Sequence, residues 1–351
     1  MGLVLAGAFL QACGAGVEAP SGDPSSSSSA SASSGSSTSS GGGSGGSGGS
    51  TSGSGGSGGS PSGLVDPIEL AGSLNDTASS LALGPTDVYW ASFSILGDNK
   101  YQYGVKKAPK EPGAEAYELE GVWALAVAVD ATHLYWTDGP SIAKKPLGGS
   151  EITQLATGQG FQHGSSIALD EASVYWTNRD LGTVMKAAKD GSFMGVIASG
   201  QALPTRVAVD DTHVYWTNTT DPGAVVSAPK DGGAPAILAD NQHYPSALAV
   251  DATRVVWTST GDHSIRMAPK GGGSSTLIAS GQFSTSIALD EDHAYWLLSD
   301  TGVVRAPLDG GPHTTLSVSQ TGCSEIALDD AFIYWTRDAV TKGAKVLKLA
   351  K

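Results

Sequence analysis

Basic residues are scarce in this chain and absent before Lys100; the 351 residues carry 20 Lys and Arg against 34 Asp and Glu. The net charge of −14 and pI near 4.7 exclude nucleic acid as a partner, because a phosphate backbone calls for a basic surface. Cysteine is nearly missing too. Cys13 lies in the leader and Cys323 inside a repeat, so no structural disulfide is expected. No apolar run after the leader is long enough to cross a bilayer. Catalytic signatures are also lacking: the chain has no HExxH, GxSxG, Walker loop or Cys–His zinc spacing. Of the histidines, His133, His213 and His293 recur at equivalent places, too far apart to share a metal. No cofactor or metal is expected, and catalysis is the lesser reading.

The N-terminal part lacks the means to fold. From Ser25 to Ser60 every residue is Ser or Gly except Ala30, Ala32, Thr38 and Thr51. Such a segment has no apolar surface to offset its ordering entropy and is expected to be a flexible coil. Before it, residues 1–13 read MGLVLAGAFLQAC, a short apolar run that ends in a small residue and a cysteine. This resembles the lipobox of bacterial lipoproteins, with Leu10, Ala12 and Cys13 at the matching positions and Gln11 unusual at its own. The resemblance implies a signal peptide over 1–12, cleavage before Cys13 and a lipid on its sulfur, anchoring the protein to a bacterial envelope. The basic start expected of a signal peptide is missing, as a misassigned start codon would produce. The other reading is an ordinary secretory signal with an incidental cysteine. The Gly/Ser tract favours the anchor, since about 50 flexible residues reach ~40 Å, enough to hold a folded head clear of a membrane. The expected division is leader 1–12, linker 13–63 and folded domain 64–351.

What the chain has in abundance is repetition. Seven of its eight tryptophans (Trp90, Trp136, Trp176, Trp216, Trp257, Trp296 and Trp335) recur every 39 to 46 residues within copies of one phrase. Examples are VDATHLYWTD (129–138), LDEASVYWTN (169–178) and LDDAFIYWTR (328–337). Self-similarity of this period with alternating, strand-like segments predicts propeller blades. In each copy an innermost strand A leads to an Asp six before Trp: Asp130, Asp170, Asp210, Asp251, Asp290 and Asp329, with Gly84 in the first copy. That Asp reads as a turn residue bonding its own backbone, not as part of a carboxylate ring. Strand B places Tyr and Trp on opposite faces. Both can be buried between blades, each removing ~150–250 Å² from water, worth several kcal/mol at ~25 cal/mol per Å². An Ala eight before every Trp reads as a small residue fitted near the axis. Strand C, an Asp-Gly turn as in Lys230–Gly233, and strand D complete four strands per blade.

The seventh copy ends after strand C, at Lys345–Leu349, while Pro67–Ser73 ahead of the first copy looks like a strand D. The expected fold is therefore an all-β, seven-bladed β-propeller whose last blade is closed 1+3 by the N-terminal strand. Closure would remove free edges that invite aggregation.

Tyr135–Asp138 spells YWTD, with YWTN at Tyr175–Asn178 and Tyr215–Asn218; the Ala-Pro and Asp-Gly-Gly stretches follow. Residues 65–351 thus resemble the YWTD propellers of the low-density-lipoprotein-receptor type. The resemblance implies a non-enzymatic binding propeller. That family has six blades and flanking cysteine-rich modules; here seven copies stand without such modules, so no ligand contacts carry over.

Propellers bind at the channel mouth formed by their D–A and B–C loops. Thirteen before each Trp lies the end of the D–A loop, occupied by Thr77, Trp123, His163, Leu203, Tyr244, Phe283 and Gly322. Trp123, His163, Tyr244 and Phe283 form a candidate ring for a protein, peptide or glycan ligand, or else cap the core. Ten before Trp, Arg206 and Glu325 are the only charges of an inner ring, on blades four and seven. They would orient a polar ligand or simply face channel water, the blander outcome. Asp138, Asp180, Asp221, Asp262, Asp300 and Asp338 lie on B–C loops. They would make an acidic rim for cations or calcium, or more simply a set of solvated loop acids. The expected function is an envelope-anchored, monomeric binding or scaffolding module. The alternative is a metal-dependent lactonase or lyase, for which the innermost strands offer only Glu325.

Overall fold

A computed structural model describes residues 64, 66–74, 77–95, 101–113, 115–119, 121–159, 166–298, 302–318, 322–337 and 344–351. Cys13, the linker and His163 lie outside the described residues, as do Asp300 and Asp338. Alternating apolar residues bounded by Asp and Gly turns give strands, and these assemble into seven four-stranded antiparallel sheets. Blade two shows the pattern: Ala126–Val129, His133–Thr137, Ile142–Pro146 and Thr153–Ala156, from the inside outward. The innermost strand of every blade touches those of both neighbours, including Thr77–Leu83 of blade one against Cys323–Leu328 of blade seven, so the ring is closed.

Closure follows the expected 1+3 plan. In blade seven the order is Ile68–Leu74, Ala344–Ala350, Phe332–Arg337, Cys323–Leu328. Glu69 pairs with Leu347 and Ala71 with Val346, and Leu70 and Ala71 are buried. Glu69 also accepts a hydrogen bond from the Lys345 ammonium. Closure does not remove every edge. Each blade keeps its outermost strand as one, and these are short, from two residues (Tyr117–Glu118) to seven. Brevity is one way such edges are kept from pairing with other chains.

The core is divided into seven seams, one between each pair of blades. Tyr89 of blade one packs with Trp136 of blade two, Tyr135 with Trp176, Tyr175 with Trp216 and Tyr215 with Trp257. Tyr295 then packs with Trp335, and Tyr334 with Trp90 across the closure. Val256 stands in for tyrosine beside Trp296. All seven tryptophans are buried. The repeated alanines turn out to lie directly across the A–B hairpin from this position, as in Ala128↔Tyr135 and Ala168↔Tyr175. Small side chains there leave room for the aromatic seam as much as for the axis.

The aspartates act as turn residues, as expected. Asp130 Oδ1 accepts the amides of Thr132 and His133, each at 2.8 Å. Their second oxygen does more than a turn requires. Asp130 Oδ2 accepts the Tyr135 hydroxyl at 2.9 Å and the ammonium of Lys189, one blade on, at 2.7 Å. Lys230 meets Asp170, and Lys270 meets Asp210, in the same way. Lys351 reaches Asp290, and Lys110 closes the circle on Asp329. At two seams the lysine position holds leucine, Leu147 and Leu308. Those are the seams where the aspartate is missing (Gly84) or is bound within its own blade by Arg254, at 2.9 Å from Asp251. Unpaired charge is thus avoided at both.

Candidate functional site

The face opposite this ionic belt is formed by the D–A and B–C loops. Trp123 is 69 % exposed and Tyr244 47 % exposed; Phe283 is half-buried. Leu203 is 38 % exposed at the equivalent position. The first two side chains therefore stand out of the core instead of capping it. Phe283 is intermediate, its ring edge-on to His263 of the neighbouring B–C loop with centroids 5.3 Å apart.

Tyr244 belongs to the most tightly built part of this face. Its amide donates to the Thr220 carbonyl, and its own carbonyl accepts from the Thr260 amide, both at 3.1 Å. The Gly261 amide donates to the His243 carbonyl at 3.0 Å, and the Gln282 amide to the His263 carbonyl at 2.7 Å. Thr219 Oγ1 donates to the Pro245 carbonyl at 2.7 Å. Loops of blades four, five and six are thereby stapled together. Among the described residues, the non-glycines with left-handed backbone are Leu203, Asn241, Tyr244 and His263. All four lie on or beside these D–A and B–C loops. Strain of this kind persists only where surroundings over-determine it, and it gathers at functional surfaces.

His243 and Asp221 make a polar pair beside Tyr244. Nδ1 of His243 lies 2.9 Å from Asp221 Oδ1 with the imidazole mostly exposed. The contact places the Nδ1 proton toward the carboxylate and leaves Nε2 for another partner. Sequence reasoning missed His243, which differs from its neighbour Tyr244 only in standing one place off the thirteen-residue ruler. It also missed the glutamines that support the rim from below: Gln201, Gln242 and Gln282 accept the indole N–H of Trp216, Trp257 and Trp296. The repeated Ser-Gly-Gln at 199–201 and 280–282 was the available signal.

The two charges of the inner ring meet each other across the channel. Arg206 Nη2 donates to Glu325 Oε1 at 2.5 Å and to the Thr285 carbonyl at 3.3 Å. Glu325 Oε2 accepts from Ser286 Oγ at 3.1 Å. The long guanidinium arm reaches from blade four to blade seven, so each charge neutralises the other and three blades are tied across the channel. Of the four acidic-rim residues that are described, three are occupied and Asp180 is exposed to solvent. Asp138 caps the Ser141 amide, Asp221 holds His243, and Asp262 accepts from Ser264 and Arg266. Two shallow grooves lie elsewhere, on the outer wall. One of about 300 Å³ is lined by Phe193, Val196 and Lys230, and one of about 390 Å³ by Ile237, Asp240 and Ser275. Neither gathers convergent polar groups as the Tyr244 rim does.

Comparison with solved structures places the architecture among known propeller-like chains. A streptogramin B lyase structure matches with a TM-score of 0.63 and 12 % identity, covering 81 % of this chain and 96 % of that one. The computationally designed Ika8 protein matches with a TM-score of 0.56 and 16 % identity, over 77 % and 84 %. A chain of a nidogen/laminin complex matches at 0.48 and 21 % identity, over 67 % and 88 %. At such identities the first two likenesses bear on the fold alone. The chain is a seven-bladed propeller. No protein-family model matches it, and neither does any curated protein.

Proposed function

We propose that this protein is an envelope-anchored lipoprotein whose propeller is a non-enzymatic binding module for a protein, peptide or glycan at the mouth of the D–A and B–C loops. The observation that carries the reading is the exposure of Trp123 and Tyr244 on this face, with Tyr244 on backbone stapled in place. Rigid, exposed aromatics give contact area at low entropic cost, the property a recognition surface needs. The two inner-ring charges are spent on each other and on Ser286, so both Glu325 oxygens are already bonded within the protein. The lipobox-like residues around Cys13 and the Gly/Ser spacer support anchoring of a head held away from a membrane.

Two experiments test this. Cys13→Ser should move the full chain from membrane to soluble fractions, and an unchanged distribution contradicts the anchor. Thermal-shift screening of the full chain with glycans, peptides and divalent metals should find a stabilising ligand whose effect is weakened by Trp123→Ala or Tyr244→Ala. Stabilisation by calcium or zinc, coupled to turnover of an ester or lactone, would overturn the binding reading in favour of a metal-dependent enzyme.

A further inference from the structure

We infer that the rim built by Asp221, His243, Tyr244 and Gly261 is a subsite for one neutral saccharide ring, a claim that rests on the binding reading above and narrows it. A sugar offers two kinds of surface: an apolar face of C–H groups and an edge of hydroxyls. The rim offers a counterpart to each. Tyr244 presents an aromatic ring that is 47 % exposed and fixed in place by backbone hydrogen bonds on both its amide and its carbonyl. Next to it, the exposed His243 is tethered at Nδ1 by Asp221, which leaves Nε2 and the acceptor Asp221 Oδ2 for the hydroxyls of a ligand. Gly261 lies between the two. A Cβ there would come within 3.0 Å of His243 Cβ and 3.1 Å of Tyr244 Cδ2, so glycine lets the three loops close into one surface.

Charge decides among ligand classes. An anionic ligand is disfavoured by a chain carrying −14. A metal cation would need several converging carboxylates, and none are gathered among the described residues: Asp262 is engaged by Arg266 and Ser264, and Asp221 keeps a single oxygen beside His243. An extended peptide would need an open row of backbone groups; here the Tyr244 amide and carbonyl and the Gly261 amide are already bonded within the protein. What remains unspent on this rim is an aromatic face and hydroxyl acceptors. That combination fits a neutral polyol ring. The left-handed backbone at Tyr244 is consistent with it, because strain is tolerated where it aims a side chain at a ligand.

The test is calorimetric titration of the full chain with cellohexaose, xylohexaose, mannohexaose and chitohexaose, with hexalysine and a hexaglutamate peptide as charged comparisons. At least one oligosaccharide should bind with Kd below about 1 mM. Tyr244→Ala should weaken that binding about tenfold or more, and Asp221→Ala several-fold, with melting temperatures within about 2 °C of the parent. Oligosaccharide binding that is insensitive to Tyr244→Ala but lost in Trp123→Ala would overturn this subsite and leave the binding module intact. Binding of hexalysine or hexaglutamate through Tyr244, with no oligosaccharide bound, would overturn the ligand class. Absence of any binding would count against both readings.

Discussion

Asp170 uses both carboxylate oxygens, and the consequences are visible one residue at a time. Oδ1 accepts the amides of Ala172 and Ser173 at 2.9 and 2.7 Å; Oδ2 accepts Tyr175 at 2.8 Å and Lys230 at 2.6 Å. Removing it would leave a half-buried ammonium and a hydroxyl without their partner as well as an open turn. We expect Asp170→Ala to cost about 2–4 kcal/mol in chemical denaturation. Asp170→Asn, which can still accept the turn amides, should cost less. A double-mutant cycle with Lys230→Met should give a coupling of about 1 kcal/mol, because the pair is partly shielded from solvent. A coupling of zero would assign the aspartate to the turn alone. Tyr244 poses the opposite case. Its left-handed backbone favours glycine, so Tyr244→Gly should raise stability by about 1 kcal/mol in thermal melts while weakening ligand binding. A destabilised Tyr244→Gly would mean that the ring is held for packing.

Among the elements, the strand Ile68–Leu74 has the largest mechanical role for its length, since it alone supplies the outermost strand of blade seven. Deleting residues 66–73 should lower the melting temperature by 10 °C or more, an order-of-magnitude figure for exposing the third strand and the buried Leu70 and Ala71. An unchanged melting curve would contradict closure by this strand. This strand and the Tyr-Trp hairpins were legible in the sequence because period-two alternation and a fixed repeat report directly on backbone geometry. The ionic belt was not. Its partners sit in different repeats, some 60 residues apart as with Lys230 and Asp170, and nothing local marks that spacing. The aromatic rim was legible as a position by counting from each Trp. The Asp221–His243 pair and the Arg206–Glu325 tie depend on how loops from different blades meet, which no periodicity encodes. Gly84 shows how repeat logic misleads when applied mechanically. Alignment of the copies recommends Asp there, yet the Tyr89 ring stands 2.8 Å from where a Cβ would be. Leu147 also offers no cation across that seam. Gly84→Asp should therefore destabilise, measurably in denaturant titration, where a consensus argument forecasts a gain.

At the scale of the whole ring, the belt makes stability a function of pH with two limbs. Burial alone would raise the pKa of Asp130, Asp170, Asp210, Asp251, Asp290 and Asp329. Hydrogen bonds from the turn amides, from the tyrosines and from Lys189, Lys230, Lys270, Arg254 or Lys110 outweigh that effect in one or another of these sites, and all six carboxyls lie below the usual carboxylate range. Their contribution is fully present above the unfolded pKa of about 3.9 and is lost as pH falls toward the lower folded values. The tyrosines run the other way. Burial, then the bond to Asp290, pushes Tyr295 up to about 12, and Tyr135, Tyr175, Tyr215 and Tyr334 are raised by the same causes. That contribution is intact below about pH 10 and lost as pH climbs through the folded pKa. The melting temperature should thus be level from about pH 5 to pH 9, fall below about pH 4 and fall again above about pH 10. Because acid and base strike the two partners of the same Asp–Tyr hydrogen bond at most of the seams, both limbs should be cooperative. Replacing Asp130, Asp170 and Asp210 together by Asn should lower the plateau and flatten the acid limb. If the triple variant keeps the full acid slope, the belt is not what acid dismantles.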